Sequence, residues 1–110
     1  MEPKEVVLYR TQSGRVPLTE WIGHLRDRAG ALRLLSRVER LSEGHLGDCR
    51  SVGQGVYELR FHFGPGYRIY FGERGGRLII LLCGGDKDTQ QKDISLAKTY
   101  WADWCENLEE

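Results

Sequence analysis

The sequence predicts an α+β domain, because helices and strands are grouped in separate stretches of the chain. Two amphipathic helical patterns lie next to each other at residues 17–25 and 31–42, and three strand patterns follow them between residues 56 and 83. One strand precedes them and one helix follows, so the predicted order is β-α-α-β-β-β-α. With 110 residues, we expect residues 1–110 to form a single domain.

The first elements are predicted from residue type and helical spacing. Residues 6–10, VVLYR, are β-branched and aromatic, which favours a strand. Pro17 is typical of a first helical turn. One apolar helix face follows it, formed by Leu18, Trp21, Ile22 and Leu25. Gly30 breaks this pattern, and a second helix is predicted from there to about Ser42.

The second predicted helix carries an apolar stripe and a basic stripe. The residues expected to be buried are Leu34, Leu35, Val38 and Leu41. The basic stripe consists of Arg33, Arg37 and Arg40. A solvated helix face explains such a stripe, and contact with a partner or with RNA is the alternative.

Alternation with a period of two predicts a β-hairpin over residues 56–71. A glycine-rich loop is expected before it, at residues 44–55, and GPG at residues 64–66 is a turn signal. A three-residue hairpin loop gives these opposite pairs: Phe63–Tyr67, Phe61–Ile69, Leu59–Phe71, His62–Arg68 and Arg60–Tyr70. The apolar side chains then share one face of the sheet.

The last strand and helix follow a second turn at residues 73–77. Residues 78–83, LIILLC, are apolar at every position, which indicates a strand covered on both faces. A helix is predicted from about Thr89 to Trp104, with Asp88 and Gln91 at the spacing of a capping box. Its apolar face is expected to include Ile94, Ala97, Tyr100 or Trp101, and Trp104.

Composition and charge argue against a metal site, a cofactor and a membrane span. Net charge is zero, but residues 6–100 hold fifteen basic and ten acidic side chains, a net of +5, and twelve of the sixteen basic residues are arginine. The three cysteines lack CxxC spacing and the histidines form no metal motif, so we expect neither a metal nor another cofactor. No membrane span or signal peptide is recognised, and the expected location is the cytoplasm.

The outer face of the predicted hairpin is a candidate site for an anionic ligand. It carries Glu58, Arg60, His62, Arg68 and Tyr70 on a strand surface that we expect to face water. The alternative is an ordinary solvated sheet face on which Glu58 pairs with an arginine.

A second candidate lies where the last strand meets the last helix. Gly84 and Gly85 allow a sharp turn and close approach of a ligand, and Lys87 stands just before the helix start. Free N–H groups at a helix start favour an anion, so these residues predict a phosphate cradle. A plain strand-to-helix turn with an exposed lysine is the alternative.

If the last strand pairs beside the hairpin, Lys87 comes close to Arg60 and Arg68. Basic, hydroxyl and imidazole groups without metal ligands suit phosphodiester cleavage by the 2′-hydroxyl of RNA. One group accepts the proton of that hydroxyl, another protonates the leaving 5′-oxygen, and arginines hold the growing negative charge. DNA lacks the attacking hydroxyl.

Three stretches of the chain resemble the addiction-module killer proteins, a HigB-like branch of the RelE/ParE toxin superfamily. They are GVYELRFHFGPGYRIYF at residues 55–71, IILLCGGDKDTQQKDI at residues 79–94 and AKTYWADW at residues 97–104. The likeness extends to PLTEWIGHLRDR and GHLGD, so it covers nearly the whole chain. The resemblance implies a twisted sheet with two N-terminal helices packed on it.

The resemblance also implies a ribosome-dependent mRNA endonuclease of a type II toxin–antitoxin system. Its partners would be the ribosome, mRNA and a cognate antitoxin, a small helix-turn-helix protein encoded next door, with no membrane partner. Arg60, Arg68 and Lys87 match basic residues of the family motifs and are the catalytic candidates. Supporting or RNA-binding candidates are Arg50, His62, Tyr70 and Gln90.

Two other functions remain compatible with the sequence. ParE-like members of the same superfamily inhibit DNA gyrase and cut nothing, and a fold alone does not separate the two. A non-enzymatic module whose basic face docks an acidic partner is the third interpretation. Detectable mRNA cleavage separates the nuclease from both.

Overall fold

A computed structural model describes residues 3–108 and confirms the α+β class. Five strands form one mixed sheet in the order β1-β5-β4-β3-β2, with β1 parallel to β5 and the other pairs antiparallel. The elements are β1 (Glu5–Leu8), α1 (Pro17–His24), α2 (Arg28–Leu41), β2 (Cys49–Gly53), β3 (Val56–Arg60), β4 (Arg68–Arg74), β5 (Leu78–Gly85), a 3-10 turn (Lys87–Thr89) and α3 (Gln90–Glu106).

The sheet is covered on both faces. Alternation along β5 sends Ile79 and Leu81 into a core shared with α1 and α2, and Ile80 and Leu82 into a second core under α3. The prediction that this apolar strand is covered on both faces is confirmed. The predicted apolar face of α3 is confirmed as well, since Ile94, Ala97 and its aromatic residues contribute to the second core. Within residues 3–108, no helix has the length and apolar character needed to cross a membrane.

Strand β2 lies inside the stretch that was predicted to be a loop. Cys49 pairs with Leu59 and Arg50 with Glu58, so β2 extends the sheet beyond β3. The turn between them uses Gly53, Gln54 and Gly55, all with positive φ, and a register shift follows Ser51. The loop prediction is therefore wrong over residues 49–53, because CRSVG shows no clear alternation and becomes a strand through its pairing with β3.

The predicted hairpin register is wrong by two residues. The structure pairs Leu59 with Ile69 and Arg60 with Arg68, and the Phe61 N–H donates to the Tyr67 carbonyl. The loop thus spans residues 62–66 and includes Gly64 and Gly66 at positive φ. A shift of two residues leaves every side chain on its predicted face, because strand side chains alternate with a period of two.

Two further helix predictions are corrected. Gly30 lies within α2 and does not separate the helices; Asp27 caps this helix by accepting a hydrogen bond from the Gly30 N–H at 2.9 Å. Leu35 is 45% exposed, whereas the other predicted members of the apolar stripe are buried or half-buried. This stripe is therefore narrower than predicted.

The start of the last helical segment also differs from the prediction. Asp86 is the capping residue, and its side chain accepts hydrogen bonds from the N–H groups of Asp88 and Thr89. Thr89 completes the capping box, so the predicted Asp88–Gln91 box is wrong. A 3-10 turn precedes α3, and the capping residue therefore lies two residues before the predicted one, at Asp86 instead of Asp88.

Helix α3 is seated on the sheet through a close contact between Trp101 and Gly72. A Cβ atom placed on Gly72 would lie 2.1 Å from the Trp101 ring, so only glycine fits beneath it. We expect Gly72→Ala to lower the free energy of unfolding by about 1–3 kcal/mol, because overpacking forces the ring or the strand to move. Denaturant unfolding measures the change.

Gly23→Ala is the matched control. Gly23 is exposed in α1, a Cβ atom placed on it would meet no other atom within 4 Å, and its φ is not positive. The same substitution should stabilise the protein there by roughly 0.5–1 kcal/mol, because alanine favours a helix over glycine. Equal stability of the two variants would contradict the packing of Trp101 on Gly72.

Candidate functional site

A fully buried carboxylate lies at the centre of the face formed by β2, β3 and β4. Glu58 is 0% exposed, and its neighbours Tyr70 and Arg68 are 0% and 6% exposed. The expectation that this face is open to water is therefore wrong for these three residues. Helix α3 packs over that side of the sheet. The sequence alone did not show which face of the sheet this helix covers.

Three hydrogen bonds hold the Glu58 carboxylate. Arg50 Nε donates to Oε1 at 3.1 Å, and Tyr70 Oη and Gln90 Nε2 donate to Oε2 at 3.1 and 2.7 Å. Arg50 comes from β2, Tyr70 from β4 and Gln90 from α3, so one side chain connects three elements. Of the predicted alternative, the pairing of Glu58 with an arginine is confirmed, whereas the solvated face is wrong at Glu58, which is buried.

Two more arginines approach the same carboxylate. Arg60 Nε lies 3.7 Å from Oε1 of Glu58, and Arg68 Nε lies 3.4 Å from Oε2. Both Nε atoms are buried and make no hydrogen bond to the described residues 3–108. Arg60 and Arg68 are direct partners across β3 and β4, where two like charges repel each other. Glu58 is the negative charge that offsets this repulsion.

Burial and hydrogen bonding act in opposite directions on Glu58. Desolvation raises the pKa of this carboxyl, but the hydrogen bonds from Gln90, Arg50 and Tyr70 outweigh it and the pKa is lowered overall. Glu58 is therefore ionised at neutral pH. Burial and the adjacent Glu58 charge raise the pKa of Tyr70 well above its usual value, so its hydroxyl remains protonated.

A pocket of about 210 Å³ opens at the end of this face, beside the 62–66 loop. The residues that line it are Arg60, Phe61, His62, Phe63, Gly64, Gly66, Arg68 and Lys87. Gly66 brings two of them together: a Cβ placed on it would lie 3.2 Å from Arg68 Nη1 and 3.4 Å from the Lys87 Cβ. The structure thus gathers all three catalytic candidates and one supporting candidate, His62, around one cavity.

His62 lies at the exposed rim of the pocket and contacts a carboxylate. Its Nε2 lies 2.7 Å from Oδ2 of Asp48, the residue that precedes β2. The Asp48 carbonyl accepts the Arg60 N–H at 2.8 Å, which fixes Asp48 beside β3. A carboxylate in this position orients the imidazole ring, as in known acid–base sites. His62 therefore does not face Arg68 across a strand pair, as the predicted register required.

The predicted phosphate cradle at the start of the last helical segment is corrected by the structure. The N–H groups that were expected to bind an anion already donate to Asp86. The space above Gly84 is filled by the Trp21 ring, and that beside Gly85 by the Asp93 carboxylate and Thr89. Lys87 is exposed and lines the pocket.

The predicted site residues thus divide into two connected groups. Arg60, His62, Arg68 and Lys87 line the pocket, whereas Arg50, Tyr70 and Gln90 contact Glu58 behind it. Sequence reasoning missed the central position of Glu58 and the pairing of Asp48 with His62. Both depend on the pairing of β2 with β3. Within residues 3–108, no group of three or more histidine, cysteine, aspartate or glutamate side chains is placed to hold a metal ion.

Comparison with known proteins identifies a family and a relative. Residues 20–102 match the family described as Phage derived protein Gp49-like (DUF891). A protein of Haemophilus influenzae (strain ATCC 51907 / DSM 11121 / KW20 / Rd), named "Uncharacterized protein", is 46% identical over 78 residues, which are 71% of this chain and 79% of the relative. The matched residues include strands β2, β3 and β4, Gln90 and the pocket residues.

These matches are wide enough to assign a family, while the HigB-like branch stays a prediction. The family match covers more than half of the chain, and the relative is aligned over more than two thirds of it. The chain therefore belongs to the Phage derived protein Gp49-like (DUF891) family.

Proposed function

We propose that this protein is the toxin of a type II toxin–antitoxin system and cleaves mRNA on the ribosome in the cytoplasm. The family to which the chain belongs is toxin-like and occurs in such systems. The observation that carries the nuclease proposal is the pocket lined by Arg60, His62, Arg68 and Lys87. Resemblance to the HigB-like branch supports the ribosome-bound mRNA as substrate.

The proposed reaction needs no group from outside the protein and the RNA. The ribose 2′-hydroxyl attacks the adjacent phosphorus, and the bond to the 5′-oxygen of the next nucleotide breaks. The products are a 2′,3′-cyclic phosphate and a free 5′-hydroxyl. One proton leaves the attacking hydroxyl and one is added to the leaving oxygen, so the reaction is balanced.

The pocket residues have distinct roles in this proposal. Arg60 and Arg68 bind the scissile phosphate and stabilise the charge that grows on its oxygens. Lys87 stabilises that charge or donates the proton to the leaving oxygen. His62, oriented by Asp48, is the second candidate for proton transfer. Tyr70 supports the site from behind, because its hydroxyl donates to Glu58 and its raised pKa keeps the proton on it.

We expect Arg60→Ala and Arg68→Ala to slow mRNA cleavage. Loss of one donor that stabilises transition-state charge costs on the order of 10²–10³ in rate. Arg68→Lys should restore only part of the activity, because an ammonium lacks the planar fork of a guanidinium. The measurement is mRNA cleavage in a translation extract, with thermal unfolding recorded for each variant.

Arg74→Ala is the matched control, since Arg74 lies on the same strand as Arg68 but is exposed at its far end. It should cleave at the wild-type rate. Wild-type rates in both arginine variants would show that the site assignment is wrong. Loss of activity that follows loss of folding would show that the two arginines are structural.

Expression of this chain alone should arrest bacterial growth, and co-expression of the product of the neighbouring gene should relieve the arrest. The measurement is growth after induction, with transcripts mapped for new 5′ ends. Normal growth in the presence of folded protein would contradict the toxin. Arrest without mRNA cleavage but with stalled supercoiling by gyrase would favour the gyrase-inhibitor hypothesis.

The proposed antitoxin would bind the helical side of the molecule. A groove of about 330 Å³ lies between α1, α2 and β1, lined mainly by apolar side chains with Arg28 among them. Three exposed leucines occur on these elements: Leu8, Leu32 and Leu35. An amphipathic antitoxin segment with an acidic flank would bury the leucines and pair with the α2 arginines.

Leu35→Glu should therefore weaken the complex with the antitoxin at least about tenfold, which corresponds to 1.4 kcal/mol. Leu96→Glu is the control, because Leu96 is an exposed leucine on α3. Binding is measured by calorimetry at low and high salt. Unchanged binding of Leu35→Glu, together with a steep loss of wild-type affinity in salt, would move the contact to the basic pocket face.

A further inference from the structure

We propose that Glu58 is the positioning residue of the pocket: it attracts the Nε atoms of Arg60 and Arg68, so that the outer ends of these two guanidinium groups are left for the phosphate. This role rests on the proposed function and adds to it a residue that never touches the RNA. Glu58 is 0% exposed, so it cannot reach a substrate in the pocket. It acts through the side chains that surround it.

The contacts of the three arginines share one geometry. In each ion pair the nitrogen that approaches Glu58 is Nε, at 3.1, 3.7 and 3.4 Å for Arg50, Arg60 and Arg68. A guanidinium held through Nε keeps its two terminal nitrogens at the outer end of the fork. Arg68 Nη1 is held in turn by the Gly66 carbonyl at 2.6 Å. The forks of Arg60 and Arg68 can thus bind an anion without releasing Glu58.

Glu58 is itself fixed by groups that do not belong to the pocket. Tyr70 on β4 and Gln90 on α3 donate to the same oxygen, Oε2. Neither donor carries a charge, so the negative charge of the carboxylate is not neutralised by them and still attracts the arginines. Its position is set by β4 and α3, and the arginines take their geometry from it.

Replacing Glu58 should have opposite effects on cleavage, which needs correctly placed arginines, and on anion binding, which depends on the charge of the pocket. Glu58→Gln keeps the shape of the side chain but removes its charge, so the arginines lose their anchor while the pocket becomes more positive. Cleavage should slow on the order of 10²-fold, because small misplacements of catalytic groups have effects of that size. Anion binding should tighten roughly threefold or more at low salt, because an opposing negative charge has been removed.

The test measures kcat and KM for mRNA on programmed ribosomes, and binding of a single-stranded oligodeoxynucleotide, which carries phosphates but lacks the attacking hydroxyl. Glu58→Gln is expected to combine slower cleavage with tighter binding. Glu58→Asp retains the charge on a shorter arm, so it should cut slowly without binding more tightly. Glu73→Gln is the control, because Glu73 lies on β4 and pairs with Lys4 at 3.1 Å, outside the pocket.

The outcomes distinguish this role from a structural one. Partial unfolding lowers the amount of active protein and cannot tighten binding. A folded Glu58→Gln variant that cuts at the wild-type rate, or that loses binding and cleavage together, would overturn the proposal. If Glu58→Gln does not fold, Gln90→Ala removes one donor from the same carboxylate and should slow cleavage less steeply without raising KM. A wild-type rate for that variant would then count against the positioning role.

Failure of the nuclease proposal would be visible separately. A wild-type protein that binds the oligomer but leaves mRNA intact contradicts the nuclease alone, and the binding comparison between Glu58→Gln and the wild type still tests Glu58. A wild-type protein that does not bind the oligomer contradicts both proposals.

Discussion

The interaction on which the site depends is the burial of one carboxylate among three guanidinium groups. Moving an ion out of water costs several kcal/mol even after the protein relaxes, so a buried Glu58 persists only because its oxygens are fully engaged. Arg50, Tyr70 and Gln90 supply the hydrogen bonds, and Arg60 and Arg68 add charge. Without the carboxylate, Arg60 and Arg68 would face each other across two strands with no opposite charge between them.

A sheet buried on both faces leaves little room for a site, and in this protein the pocket lies at one end of the sheet. Helix α3 covers the middle of the strands through Trp101 and Ala97. The strand pairing ends at Arg60 and Arg68, where the 62–66 loop and the turn carrying Lys87 diverge. Arg68 therefore spans two environments, with its Nε in the protein interior and its outer end at the pocket. Water and a ligand reach only that end.

The sequence predicted the composition of this site better than its geometry. A strand face is determined by a period of two, so Arg60, Arg68 and Tyr70 shared a face in the prediction even though the register was wrong by two residues. The burial of Glu58 could not be predicted, because it depends on where α3 packs, and amphipathic spacing does not say which sheet face a helix covers. Strand β2 was missed because CRSVG lacks alternation. The Asp86 cap was missed because Asp86 and Asp88 are both suitable capping residues by residue type.

The choice of arginine at positions 60 and 68 follows from the two contacts that each side chain has to make. One nitrogen lies near a buried carboxylate, and others must remain for an anion in the pocket. A guanidinium has five N–H donors spread over a rigid plane, so its Nε and its terminal nitrogens can serve the two partners at once. An ammonium concentrates its charge on one atom, which would be drawn to the carboxylate and away from the pocket. The zero net charge of the whole chain is compatible with this arrangement, because the field in the pocket is set by groups a few ångströms away and distant surface charges are screened by salt.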